Sequence, residues 1–174
     1  ERGQLEVLQL LLKHYPNKLL EETSKDGENV VMLAARNDHL EVLKLLLRHG
    51  SEAQLMVTNK YGENAMMLAA ERGQLEVLQL LLKYYPVLTE ATTPSGMTVL
   101  QKAIMNGNLA TVELLFLHNP KQSLEVTNKN RENALMFAAE RGEIHIVELF
   151  LKLNAEKQLV STDMNNRVGE LLCE

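Results

Sequence analysis

The residues best suited to chemistry in this chain are five histidines and one cysteine, and neither set is spaced for it. Imidazole nitrogens bind zinc at about 2 Å from a shared centre. His14, His49 and His118 instead fall at equivalent places of a sequence that repeats itself, where neighbouring copies stand on the order of 10 Å apart. His145 and Glu148 lie one helical turn apart and could share an ion, but nothing supplies a third ligand. His39 sits at a turn. Cys173 occupies a slot filled by Ala34, Ala69 and Ala138 in other copies, so core packing explains it better than nucleophilic catalysis. A lone cysteine also excludes an internal disulfide and a thiolate metal site. Ser24, Ser51, Ser95, Ser123 and Ser161 come one to a loop, without the strand and elbow that expose a nucleophilic serine. The glycines recur at long intervals and never form a phosphate-cradling loop. The expectation is no catalytic residue, no metal and no cofactor.

The composition narrows the class further. Of 174 residues, 45% are apolar and 24% charged, which is too much core material for a disordered tail. The longest apolar runs, such as Leu10-Leu11-Leu12, are far too short to span a membrane. Aromatic residues are 4% with no tryptophan, unlike sandwiches and barrels that fill their cores with large rings. The net charge of −5 argues against nucleic acid, whose binders concentrate Lys and Arg on one face. With no visible targeting segment and Glu1 as first residue, a cytoplasmic piece of a longer polypeptide is expected.

Internal repetition organises the chain. Residues 1–13 recur letter for letter at 71–83, and weaker copies fall between and after them. The turn positions Gly3, Asp38, Gly73, Gly107 and Gly142 are spaced by 35, 35, 34 and 35. A second ladder, Gly27, Gly62, Gly96, Arg131 and Asn166, is spaced by 35, 34, 35 and 35. Within a unit the apolar spacing is helical. Leu75, Leu78, Leu81 and Leu82 form a stripe widened by Val77 and Leu80, which leaves Glu76, Gln79 and Lys83 outside it. A shorter helix precedes, capped by Asn64 and stopped by Gly73; Asn29, Thr98 and Asn133 fill the same cap slot. About fourteen polar residues then lead to the next unit, and they predict a loop or extended finger without core contacts. Each helix pair has an apolar stripe it cannot cover alone, so neighbours must stack.

The unit resembles the ankyrin repeat. The resemblance runs through Gly62-Glu63-Asn64-Ala65-Met66-Met67-Leu68-Ala69-Ala70-Glu71-Arg72-Gly73 and on through Leu75, Val77, Leu78, Leu81 and Leu82. The tetratricopeptide repeat shares the period but has no finger and pairs helices of similar length. The resemblance implies an all-α ankyrin-repeat solenoid of stacked antiparallel helix pairs with short β-hairpin-like fingers. It would comprise a second helix of a partial repeat (1–23), full repeats at 24–58, 59–92, 93–127 and 128–162, and a partial repeat at 163–174. Departures from the family pattern are informative. Its His slot holds Met32, Met67, Gln101 and Met136, which predicts adaptable packing in place of hydrogen bonds laced across repeats. Arg131 and Asn166 stand where a finger glycine is usual. A left-handed backbone costs a side chain roughly 1–2 kcal/mol, so the fourth and fifth fingers are expected to differ in shape.

The resemblance also implies a non-catalytic scaffold that binds another protein through its concave face, formed by finger tips and first helices. The finer alternative is the targeting arm of a larger enzyme, such as a bacterial effector acting in host cytosol, with its catalytic domain outside this chain; the Gly62–Leu68 run looks more like bacterial or protist arrays than vertebrate ones. No nucleic acid, membrane or small-molecule substrate is expected. Carried over copy by copy, the partner-binding candidates are Arg36, Tyr61, Glu63, Glu71, Arg72, Met97, Met105, Asn106, Lys129 and Arg141. Tyr61 and Met105 stand out, because interface energy gathers on desolvated aromatic, Met and Arg anchors. The stretch from Tyr61 to Met105 is therefore the expected centre, with Arg36 and Arg72 as charged anchors.

Overall fold

Four short helices begin where a polar side chain satisfies amides that a helix N-terminus leaves free. Asn29 Oδ1 accepts from the Met32 amide at 2.9 Å and Asn64 Oδ1 from Met67 at 2.9 Å. Asn133 does the same for Met136 at 3.0 Å. Thr98 forms a reciprocal box with Gln101, whose side chain accepts from the Thr98 amide.

The computed structural model describes residues 2–15, 20–49, 52–119 and 125–155. In chain order these hold α1 (Arg2–His14), α2 (Val30–Arg36), α3 (Leu40–Arg48), α4 (Glu52–Leu55), α5 (Ala65–Arg72) and α6 (Leu75–Tyr84). There follow a 3-10 turn (Pro86–Glu90), α7 (Val99–Met105), α8 (Leu109–His118), α9 (Ala134–Glu140) and α10 (Ile144–Ala155). The first helices stack in the order α2, α5, α7, α9, and the second helices stack α1 on α3 and α6 on α8 on α10. Equivalent slots are buried copy after copy: Met32, Met67 and Met136 in the first helices, Leu46, Leu81, Leu115 and Phe150 in the second. The expected partial repeat at 163–174, with Asn166 and Cys173, lies outside the described residues, as do Ser51, Ser123 and Ser161.

The segments between repeats depart from expectation. They contain α4 and the 3-10 turn, and each drives a leucine into the core: Leu55 is 0% exposed and Leu88 2%. Their backbone also takes part in the lacing between units. Asn29 Nδ2 donates to the Gln54 carbonyl at 2.9 Å, and Asn64 Nδ2 to that of Leu88 at 3.0 Å. Gln101 Nε2 reaches the Glu132 carbonyl at 2.8 Å in the next repeat. Polar lacing therefore persists beside the methionines, because the cap amides and Gln101 supply it.

The fourth finger is likewise not reshaped. Arg131 takes the left-handed conformation, φ 64°, that Gly27, Gly62 and Gly96 take, and its amide donates to Asn128 as Gly62 does to Asn59. Neighbouring bonds hold it there: the Asn128 amide meets the Glu132 carbonyl and the Lys129 amide meets Ser95 of the preceding finger, both at 3.0 Å. The Asp38 turn is left-handed too, φ 58°, which a short acidic side chain tolerates. Arg131→Gly relieves the fourth finger of strain, and part of that gain is offset by the greater freedom of glycine in the unfolded chain. A net gain of about 0.5–1 kcal/mol is expected, read as a rise of about 2–3 °C in the circular-dichroism melt; a fall would show that the arginine is not strained.

Candidate functional site

Each finger is a loop closed by its first residue. Asn59 Oδ1 accepts from the amides of Tyr61 and Glu63, both at 2.9 Å, and Asn128 Oδ1 from Asn130 and Glu132 at 2.9 and 3.0 Å. Ser24 and Thr93 hydroxyls play the same part with Glu28 and Met97. Side chains that bond their own backbone two to four residues on make tight, reproducible turns. The tips, Asp26, Tyr61, Ser95 and Asn130, are consequently presented to solvent at repeat spacing.

Behind each tip, the residue before the helix cap is matched in register by the last-turn residue of the first helix. This slot pair differs from copy to copy. In the first repeat it is Glu28 and Arg36, joined at 2.7 Å. In the third it is Met97 and Met105, both half-buried. The second and fourth repeats both carry two carboxylates, Glu63 with Glu71 and Glu132 with Glu140.

The second-repeat pair is occupied from within. Lys102, on α7 of the third repeat, reaches back to Glu63 Oε1 and lies 3.4 Å from Glu71 Oε2. Lys102 is 8% exposed and Glu63 7%. Asn59 Nδ2 donates to the other Glu63 oxygen at 2.8 Å. Burial by itself raises the Glu63 carboxyl, but the ammonium and the Asn59 amide outweigh it and hold the group below its ordinary value of 4.5.

The fourth-repeat pair opens into a cleft of about 720 Å³ between the third and fourth repeats. Glu132 accepts from Asn128 Nδ2 at 2.7 Å, the counterpart of the Asn59 bond. Its hydrogen bond to Glu140, and then its charge, push the Glu140 carboxyl up, with burial adding and Arg141 opposing. Met97 and Phe137 supply apolar walls, and Arg141 lies 5.6 Å from the Phe137 ring centroid.

Of the ten expected partner-binding residues, this cleft brings together Met97, Lys129 and Arg141. Tyr61 is 60% exposed on the second finger, its hydroxyl 3.4 Å from Asp26 of the first. Arg72 and Asn106 are exposed and Met105 half-buried, outside the cleft lining. Arg36 is engaged with Glu28, and Glu71 with Lys102. Glu63 is buried and committed to Lys102, so it presents little to a partner. Sequence reasoning passed over Lys102 and Phe137. The available signal was one of slot: both stand where sibling first helices carry Leu33 and Leu68, and a charge or a ring in a leucine slot marks a departure.

Among the described residues no three His, Cys, Asp or Glu side chains converge as a metal set, and no helix is long and apolar enough to cross a membrane. Residues 1–90 and 85–161 match the family model for ankyrin repeats, three copies, and the chain belongs to the ankyrin-repeat family. No match was found among curated proteins.

Proposed function

We propose that this chain is a docking scaffold whose concave surface, finger tips and first helices together, receives a partner protein, with the cleft between the third and fourth repeats at its centre. Ankyrin repeats generally mediate protein–protein interaction, and domains built from them are typically non-catalytic. The observation that carries the reading is the cleft itself, where Met97 and Phe137 are flanked by Lys129, Glu140 and Arg141. An apolar centre ringed by charge is the anatomy of a specific interface. It lies one repeat further along than Tyr61–Met105, which then form its shoulder. A chain with one cysteine suits a reducing compartment, so we place the interaction in the cytoplasm. The same surface serves equally as the targeting arm of a larger enzyme.

Alanine at Met97, Met105 or Tyr61 should each weaken a captured partner by about 5–30-fold, equivalent to about 1–2 kcal/mol. The melting curve should be unchanged, and Gln79→Ala on the outer face of α6 should have no effect. Surface plasmon resonance with the captured partner checks this. A partner indifferent to all three but lost with Gln79→Ala would move the interface to the outer face.

A further inference from the structure

Two of the three junctions between described fingers carry a backbone hydrogen bond, and the middle one does not. The Lys60 amide of the second finger donates to the Asp26 carbonyl of the first at 2.9 Å. The Lys129 amide of the fourth finger donates to the Ser95 carbonyl of the third at 3.0 Å. In register, the bond between the second and third fingers would run to the Tyr61 carbonyl from an amide at Pro94, and proline has no N–H to give. Among the described residues the Tyr61 carbonyl accepts from no backbone amide. An apolar contact stands there instead. Gly62 takes a left-handed φ of 75°, and a Cβ on it would collide with Pro94 Cδ, so the pyrrolidine ring rests on bare glycine backbone. A hydrogen bond weakens steeply as its angle closes, whereas apolar contact makes no directional demand. The helices beneath stay joined. α5 stacks on α7 through the fully buried Ala69, Ala70, Ala103 and Ile104, and Lys102 crosses the same junction to Glu63 and Glu71.

We propose that Pro94 divides the finger layer into two blocks, the first and second fingers and the third and fourth, which hinge against each other over the α5–α7 stack. Within each block the backbone bond fixes one finger on the next. Between the blocks the ring slides on Gly62 while the buried helices and the Lys102 ion pair act as the pivot. Tyr61 rides on one block and Met97 and Lys129 on the other, so the hinge sets the spacing between the second finger tip and the cleft. Finger motion of this kind belongs to the nanosecond-to-microsecond range of loops. The hinge is a property of the chain alone, and its failure would leave the docking function standing.

The test places spin labels on the exposed outer fingers, at Lys25→Cys and Asn130→Cys, in the full chain with Cys173→Ser. Double electron–electron resonance then reads the distribution of distances between them. Three finger spacings put the labels about 30 Å apart, within reach of the method. Pro94→Lys installs the residue that the other three fingers carry and supplies the missing amide, so the distribution should narrow. The introduced amide should exchange with solvent about fivefold more slowly than in the unfolded chain, the ratio one ordinary hydrogen bond is worth. Pro94→Ala supplies the same amide with a smaller side chain and should act alike. Lys129→Pro removes a second bond in a slot where the third finger already accepts proline, and it should broaden the distribution. Melting curves confirm that each variant is folded. A protected new amide with no narrowing would mean that the proline contact is already as stiff as the bond, and the hinge falls. An unprotected amide in both Pro94 variants would mean that the two fingers do not meet in the common register, which also overturns it. So would a distribution that Lys129→Pro leaves unchanged, because the backbone bonds would then not be what fixes the fingers.

Discussion

Lys102→Leu should lower the unfolding free energy by about 3 kcal/mol at neutral pH, although leucine is what the first and second repeats carry in that slot. The loss comes from what stays behind. Glu63 is 7% exposed and its carboxylate faces the position the ammonium vacates. Removing one member of a buried ion pair strands the other, whereas replacing both by apolar groups is often neutral. The third repeat already contains such a replacement, Met97 in the Glu63 slot. Lys102→Leu combined with Glu63→Met should therefore recover most of the stability, and Glu71, partly exposed, can rehydrate.

Acid supplies the second axis of that test. Glu63 in the native chain lies below 4.5, so its stabilising contribution is complete above that pH and is lost as pH falls through the folded value. In Lys102→Leu the stranded carboxyl moves the other way and takes up a proton more readily. The gap between variant and wild type should then narrow on acidification. Urea unfolding followed by circular dichroism at pH 7 and pH 4 measures both effects. A gap between variant and wild type that is the same at the two values, or no rescue by the double substitution, would refute the account.

Phe116→Ala should cost about 4 kcal/mol. Its ring is 1% exposed and lies 4.9 Å, centroid to centroid, from that of Phe150, with the planes tilted by 37°. Phe116 belongs to α8 and Phe150 to α10, so this contact joins the third repeat to the fourth. In a solenoid each unit is held only by its neighbours. The expected consequence is local: amides of α9 and α10 lose hydrogen-exchange protection before those of α5 and α6. Phe116→Leu, matching the sibling residues Leu47 and Leu82, should cost less, about 1–2 kcal/mol. Because the cleft takes Met97 from one side of that junction and Phe137 from the other, partner binding should fall with the alanine variant as well. Uniform loss of protection across all helices would mean that the array unfolds as one body.

The parts of this architecture readable in the sequence are those set by local rules repeated often. Asn29, Asn64, Thr98 and Asn133 are caps because a short acceptor precedes an apolar helical run, and four copies in register remove ambiguity. Asp38 and Gly73 close turns for equally local reasons. What was missed depends on residues far apart in sequence. Lys102 and Glu63 are 39 positions apart, and nothing near either one announces the other. Leu55 and Leu88 lie in short segments without helical periodicity that read as loop, and they are core only in the stacked array, at 0% and 2% exposure. Arg131 breaks the glycine rule, yet bonds to the third finger and within its own outweigh the local preference. The cleft needs Met97 and Phe137 side by side, a juxtaposition created by stacking and invisible to periodicity.

The identity of residues 1–13 with 71–83 has a genetic corollary. A recombination event that fused the two stretches would excise two units at once, and the reading of helix, turn and finger would continue without a seam. Glu1 would inherit the place of Glu71 while Lys102 would remain, so the residue that comes to fill the Glu63 slot would decide whether its ammonium is paired. Shortened alleles of this kind should either keep a carboxylate in that slot or carry a compensating change at position 102, toward the leucine of its siblings.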